Sequence, residues 1–309
     1  MALRLRRVEG RGELRRFLRM PWEVYRDDPC WVPPLMWERL RFLSPRHNPF
    51  FEHAEVALWL AEEDGRPVGR IAAVLDRHWI EYRGEAMGGF GMFESVARRE
   101  VARALLERVA EWCAARGMRV LRGPFNLSTN HECGLLVEGF GMPPKFMMPY
   151  NPPYYAELLE SCGFRKAKDL LAWRLDMSST PDLEARLERL RGRLRARVRR
   201  MDPRRLDRDL EAAWEVYRDA WCENWGFVPP TEREFRYLAE RLRRVVDPAL
   251  ALIAEVDGRP VGVCLSVPDL NEVLLRMRGR LLPWGFLHLL RWRRRVRSFR
   301  GLLLGVRRE

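Results

Sequence analysis

Glu94 stands in the glycine-rich apolar run "EAMGGFGMFESV" (Glu85–Val96), flanked by Phe93 and Ser95. A carboxylate set in such a run has one clear chemical use, which is to take a proton from an attacking nucleophile. A strand carboxylate facing water or a nearby arginine reads the same way. Further along, "STNHE" (Ser128–Glu132) gathers Asn130, His131 and Glu132 in a segment without periodicity. Loops of this kind carry a large share of binding and catalytic groups, although a loop that merely caps a helix uses the same letters. Tyr150, Tyr154 and Tyr155 follow, together with Met147, Met148, Asn151 and several prolines. That stretch suits a core segment or the rigid wall of a pocket. In the second half, "ENWGF" offers Asn224 and Trp225.

Metal chemistry is not expected. The six cysteines (Cys30, Cys113, Cys133, Cys162, Cys222, Cys264) include no CxxC pair, and the five histidines form no HExxH or HxH pattern. The cysteines read as buried thiols. The 309 residues are 47% apolar and 32% charged, the composition of a folded globular chain with room for two cores. No apolar run reaches bilayer length, the best being Leu281–Trp292. The N-terminus lacks a secretory signal, so a cytoplasmic monomer or homodimer is expected. The net charge of +13 is concentrated at the end, where Arg276–Glu309 holds 11 arginines against one acid. Such a tail either meets a polyanion or is the solvated face of helices. The second reading is the expected one, because no nucleic-acid motif accompanies the charge.

The elements that must position these groups come in two copies. "WEVYRD" at Trp22–Asp27 returns at Trp214–Asp219, "VPP" at Val32–Pro34 returns at Val228–Pro230, and "DGRPVG" at Asp64–Gly69 returns at Asp257–Gly262. The offsets of 192, 196 and 193 are too long for a solenoid and fit one domain used twice. Around each "DGRPVG", alternating apolar residues predict a β-hairpin turning at Asp-Gly. Glu85–Val96 reads as a strand, and Val101, Leu105, Val109 and Trp112 fall at helical spacing until Gly117 stops them. "MRVLRGPFN" reads as a strand, "YYAELLESCGF" as a short helix and Asp169–Asp176 as a closing strand. "MSSTPD" (Met177–Asp182) is the expected linker, with Thr180 and Pro181 starting a helix that runs through to Met201. A helix over Asp209–Trp221 and a final apolar strand, "RGLLLGVRRE", complete the pattern.

The duplicated hairpin, "NPPYYAELLESCGF" (Asn151–Phe164), "GPFNLSTNHECGLLVEGF" (Gly123–Phe140) and "AWCENWGFVPPTEREF" (Ala220–Phe235) together resemble bacterial proteins with two GNAT-like (N-acetyltransferase) domains in tandem. The resemblance implies an α/β (α+β) fold of two mostly antiparallel mixed sheets flanked by helices. It places a first domain at 1–178, a basic helical linker at 179–205 and a second domain at 206–309. It also implies acetyl-CoA or another acyl-CoA as cosubstrate, no metal, and a small-molecule amine or a peptide as acceptor.

In this superfamily the fourth strand and the loop after it hold the cosubstrate. That assigns Phe93, Ser95 and Val96 in the first copy, and Leu304, Gly305 and Val306 in the second. A carboxylate takes the amine's proton and a tyrosine protonates the thiolate, roles that fall on Glu94, Glu132 and Tyr150. The acceptor would meet Asn130, His131, Tyr154, Tyr155, Asn224 and Trp225. Two features depart from the pattern. The loop "ESVARREVARAL" has no glycine, and Leu159 replaces the usual tyrosine. The first domain is therefore expected to be a degenerate copy, with any activity in the second. The chain ends at Glu309, where the second glycine loop would begin, so the second domain is expected to be truncated, with the edge of Leu302–Val306 unpaired. A non-catalytic ligand- or partner-binding tandem is the alternative.

Overall fold

A computed structural model describes residues 2–176, 183–191, 195–243, 245–279, 285, 287 and 292–308. The chain folds into two compact units. The first comprises Met1–Arg165, Asn224–Arg241 and Pro268–Arg300, and the second comprises Lys166–Glu223, Leu242–Val267 and Gly301–Glu309.

The first unit is built on a five-stranded sheet in sequence order: β1 (Leu3–Arg7), β2 (Ala54–Glu63), β3 (Arg66–Asp76), β4 (Met87–Ser95) and β5 (Val120–Arg122). The first three pairings are antiparallel and β4–β5 is parallel. Side chains alternate across a strand, so the sheet carries two cores. Ala57, Trp59, Ile71, Ala73 and Phe90 join one cluster with α5 (Arg99–Ala114) and α6 (Tyr155–Ser161). Ala54, Ala72, Val74 and Met92 join the other with α1 (Gly10–Arg19) and α3 (Met36–Phe42). The stripe Val101, Leu105 and Val109 is wholly buried, which is the amphipathic pattern expected for α5. Between α1 and α3, α2 (Pro21–Val24) is a single turn. Helices α3 and α4 (Arg77–Arg83) are short elements the sequence pattern does not announce.

Both hairpins form as expected, and they match in detail. Asp64 and Gly65 have φ of 47° and 79°, Asp257 and Gly258 of 49° and 78°, so each is a two-residue turn with both central residues left-handed. The register slips at Ala61/Glu62 in the first copy and at Ala254/Glu255 in the second.

The second unit has a four-stranded sheet of β6 (Arg197–Arg200), β7 (Ala251–Val256), β8 (Arg259–Pro268) and β9 (Phe299–Val306), in that order. Helix α8 (Leu206–Trp221) buries Ala213, Val216 and Tyr217, with Ile253 and Val263 also buried in this unit. Here the repeated hexapeptide lies inside a long helix, whereas its first copy ends a single turn. Among the described residues, α7 (Leu183–Arg191) also lies in this unit and follows from the sequence pattern, whereas α9 (Glu232–Leu242), but for its last residue, and α10 (Asn271–Met277) lie in segments of the first unit and do not.

Three expectations need correction. Asp169–Asp176 is not a strand: it has no regular secondary structure and joins no ladder, and Trp173 is 89% exposed. Alternation alone does not make a strand where no neighbour pairs with it. The helix expected through Met201 ends at Arg191, and Arg197–Arg200 instead pairs antiparallel with β7. Its driving force is charge. Arg199 donates to both oxygens of Asp209, at 3.0 and 2.7 Å, and lies 2.8 Å from Glu255. Finally, only Cys113 is buried; the other five free thiols are half-buried. Thr180 and Pro181 lie outside the described residues.

Asp209 is 1% exposed and also accepts the Asp202 N–H at 2.7 Å. Asp209→Ala leaves that N–H and the guanidinium short of an acceptor, a loss of about 3 kcal/mol. Hydrogen exchange of the β6 and α8 amides should accelerate about 100-fold, with the first unit unchanged.

In the first unit, His53 is clamped between two carboxylates. Its Nδ1 lies 2.8 Å from Asp76 Oδ1 and its Nε2 3.2 Å from Glu234 Oε2. Burial opposes the charge, yet the hydrogen bond to Asp76 and the nearby Glu234 carboxylate raise the imidazole from 6.5 to about 9, and Glu234 is held below its ordinary value. A raised pKa means the stabilisation is full below pH 6.5 and is lost as pH rises through 9, about 3 kcal/mol in all. The melting temperature should therefore fall between pH 6.5 and pH 9.5, and His53→Gln should flatten that fall.

Candidate active site

A bulge decides where Glu94 points. Along β3–β4 the register changes from Arg70↔Glu94 to Ala72↔Gly91, so β4 carries one extra residue, with Met92 at φ 47°. Without it, Glu94 would share a face with Phe90 in the α5 core. With it, the carboxylate faces the α1–α2 side, directly across the ladder from Arg70. Arg70 Nη2 lies 3.3 Å from Glu94 Oε1, and Nη1 donates to the Phe17 carbonyl at 3.2 Å. Glu94 Oε2 accepts from the hydroxyls of Tyr25 (2.9 Å) and Tyr155 (2.8 Å). Burial raises Glu94 above the usual carboxylate value, against the pull of Arg70, Tyr155 and Tyr25. Burial also raises both tyrosines well above theirs.

The free edge of β4 is the second feature. Its pairing with β5 covers only Met87–Gly89, and the chain then turns away through Gly123 and Pro124. Beyond that point Phe125 N–H donates to Phe90 O and Met92 N–H to Asn126 Oδ1. At the end of the strand, the Tyr154 hydroxyl donates to Ser95 O at 2.8 Å, and Ser95 N–H donates to the Tyr155 hydroxyl at 2.9 Å. Tyr150 packs 6.0 Å from Tyr25 and donates to Asp28 Oδ2 at 2.8 Å. Burial raises Tyr154 to about 12.

Beside this network opens a cleft of about 700 Å³, lined by Arg26, Asp27, Asp28, Arg66, Val68 and Val96 among others. Val96 leads into α5, whose first turn has no side-chain cap, so its N–H groups and dipole are offered to an anion. The Val96 and Arg98 N–H groups already donate to Val68 O and Val96 O, so a phosphate here would meet the N–H groups of the first turn of α5, without the glycines that allow the closest approach. Arg98 and Arg99 are engaged nearby, Arg98 with Glu63 at 2.9 Å and Arg99 with the Ser161 carbonyl at 2.7 Å.

The structure therefore brings Glu94, Phe93, Ser95, Val96, Tyr150, Tyr154 and Tyr155 together. Glu132 sits in a different setting, gripped by Arg39 at 2.9 and 2.5 Å and by Asn126 at 2.6 Å. Burial works against its charge, yet Arg39 and Asn126 hold it below the usual value. The two carboxylates are thus pushed apart, one toward neutrality and one firmly ionised. His131 pairs with Ser128 Oγ at 2.9 Å and is pushed down by burial to about 4, so it is neutral. Asn130 donates to Val228 O, Asn224 is exposed, and Trp225 stacks under Arg122 at 5.6 Å. Leu304, Gly305 and Val306 belong to the second unit, where Gly305 lies against the Trp221 ring.

Sequence reasoning missed Tyr25, Asp28 and Arg70. The first two lie in or beside "WEVYRD". Arg70 follows the first "DGRPVG", and the second copy has Val263 there. That one difference between copies marks where a buried charge was placed.

Across nearly its whole length the chain is similar to two curated proteins. It is 39% identical over 309 residues to the bacterial ceramide synthase of Caulobacter vibrioides, covering 98% of this chain and 80% of the relative. It is 36% identical over 306 residues to Protein YghO of Escherichia coli, covering 97% and 77%. The acetyltransferase (GNAT) family model matches residues 14–130.

The chain belongs to the GNAT acetyltransferase family.

The matched span lies in the first unit and contains Tyr25, Arg70, Glu94 and the opening of α5. A solved tandem GNAT protein from the clavulanic acid biosynthesis pathway is also similar, at 15% identity and a TM-score of 0.48 over 86% of this chain and 74% of that one. GNAT enzymes use acyl-CoA as cosubstrate. Among the described residues no group of three His, Cys, Asp or Glu is arranged to hold a metal ion, and no helix is long and apolar enough to cross a membrane.

Proposed function

We propose that this chain is an acyl-CoA-dependent N-acyltransferase that acylates the primary amine of a long-chain lipid base, with Glu94 of the first unit taking the amine's proton. The observation that carries this reading is a buried carboxylate of raised pKa, placed by a bulge beside an open cleft and the uncapped start of α5. An amine is protonated at neutral pH and must lose a proton to attack. A carboxylate raised toward neutrality accepts that proton better than one held low, as Glu132 is. Tyr25 and Tyr155 fix the Oε2 lone pairs, and Arg70 keeps the group ionised until the amine arrives. The cosubstrate would supply the thioester; its acyl carbon gains the C–N bond as the C–S bond breaks, and the thiolate departs. The acceptor class comes from the relative named a ceramide synthase, since a ceramide is an amide of a long-chain amino alcohol.

One observation favours the alternative, a binding protein without turnover. Tyr154 and Tyr155 already occupy the backbone groups of Ser95 at the edge of β4. The test is to mix the full chain with palmitoyl-CoA and a panel of amines: sphinganine, spermidine and a lysine peptide. Thiol release matched by amide in the mass spectrum is expected with sphinganine alone. Amide with none of them would overturn the enzymatic reading, and a thermal shift with palmitoyl-CoA but no thiol release would favour the alternative.

A further inference from the structure

The bulge that aims Glu94 needs something to hold it. It sets two residues of β4, Met92 and Phe93, opposite Ile71 alone, and Met92 takes a left-handed φ of 47°. A backbone of this shape persists only where its surroundings fix it. The β4–β5 ladder ends at Gly89, and the Met92 N–H beyond it goes to a side chain, Asn126 Oδ1 at 2.8 Å. The other half of that amide is equally committed. Asn126 Nδ2 donates to Glu132 Oε2 at 2.6 Å, and the Asn126 N–H donates to the Glu132 carbonyl at 2.8 Å. Arg39 of α3 closes the chain, with Nη1 2.9 Å from Glu132 Oε2 and Nη2 2.5 Å from Oε1. These contacts have a direction. A backbone N–H can only donate, and an ionised carboxylate can only accept. Glu132, kept ionised by Arg39, therefore turns the Asn126 amino group toward itself and leaves the amide oxygen facing Met92.

We propose that Asn126 and Glu132 are positioning residues for Glu94: the Glu132 carboxylate orients the Asn126 amide, and the amide locks the bulge that turns Glu94 toward Tyr25, Tyr155 and Arg70. Both oxygens of Glu132 are engaged by Arg39 and Asn126, so it serves the site without taking a proton itself. Without the lock, β4 can slip by one residue, which carries Glu94 to the α5 face of the sheet. The catalytic consequence rests on the reading of Glu94 as the base, whereas the lock itself is a property of the fold.

The test compares Asn126→Ala with the wild type, in the full chain, by amide exchange and by turnover. Exchange of the Met92 N–H, followed by NMR, should accelerate about tenfold or more, with Leu105 in α5 unchanged. The turnover rate with palmitoyl-CoA and sphinganine should fall about 100-fold with little change in KM, the mark of a misplaced reacting group. In the Glu94→Gln background the same substitution should cost nothing further, because the group it positions is already gone. Asn126→Asp, equal in size, keeps an oxygen for Met92 and loses the donor to Glu132. It should fall between wild type and Asn126→Ala by both measures. Met92 exchange that stays at the wild-type rate in both variants overturns the proposal. So does an equal loss of turnover in the wild-type and Glu94→Gln backgrounds, which marks a general structural role. A wild-type chain that forms no amide overturns the acyltransferase reading alone, and Met92 exchange then decides the lock.

Discussion

Glu94→Gln is expected to lower the turnover rate for amide formation by about 10²–10⁴-fold, with little change in KM. The substitution keeps the shape and an oxygen to accept from Tyr25 and Tyr155, and it removes the ability to take a proton. It also leaves Arg70, 9% exposed, without its counter-charge, so some loss of stability accompanies it. The two effects separate cleanly. Arg70→Met relieves the buried cation, but it deprives Glu94 of the charge that favours its ionised form. That variant should stay active at high pH and lose activity at a higher pH than the wild type does on acidification. A Glu94→Gln protein that is folded by circular dichroism and turns over at the wild-type rate would remove Glu94 from the chemistry.

The second large effect concerns the backbone that carries Glu94. A Cβ on Gly91 would lie 1.9 Å from the Phe125 carbonyl oxygen and 2.6 Å from its carbon. Both are main-chain atoms of the segment that turns away from β4, so neither can swing aside. Gly91→Ala should therefore destabilise the first unit by about 3 kcal/mol or more, enough to drop soluble yield sharply. Gly12→Ala is the matched control, because nothing lies within 4 Å of that Cβ in α1. It should be neutral or slightly stabilising. Equal melting temperatures for the two variants would mean that β4 and the Phe125 segment do not pack this closely.

Much of the architecture is legible in the letters, for reasons that are local. The Asp-Gly turns, the alternating hairpins and the buried stripe of α5 each follow from a few neighbouring residues, and the repeated "DGRPVG" reproduces even the register slip. Glu94 is legible as a carboxylate in an apolar strand. Its environment is not, because Tyr25 and Tyr155 reach it from 69 and 61 residues away and its direction depends on a bulge with no sequence signature. Asp169–Asp176 shows the converse: the alternation is plain, yet a strand needs a neighbour. Arg197–Arg200 reads as a continued basic helix until Asp209 and Glu255 are known to face it.

The most direct measurement is the pH dependence of kcat/KM for the palmitoyl-CoA and sphinganine reaction, taken on wild type, Arg70→Met and Glu94→Gln. Burial places the acid limb of the wild type above the ordinary Glu value of about 4.3. The account predicts that Arg70→Met moves that limb upward and that Glu94→Gln abolishes it, leaving a low, flat residual rate. An acid limb that keeps its position and height in Glu94→Gln would contradict it.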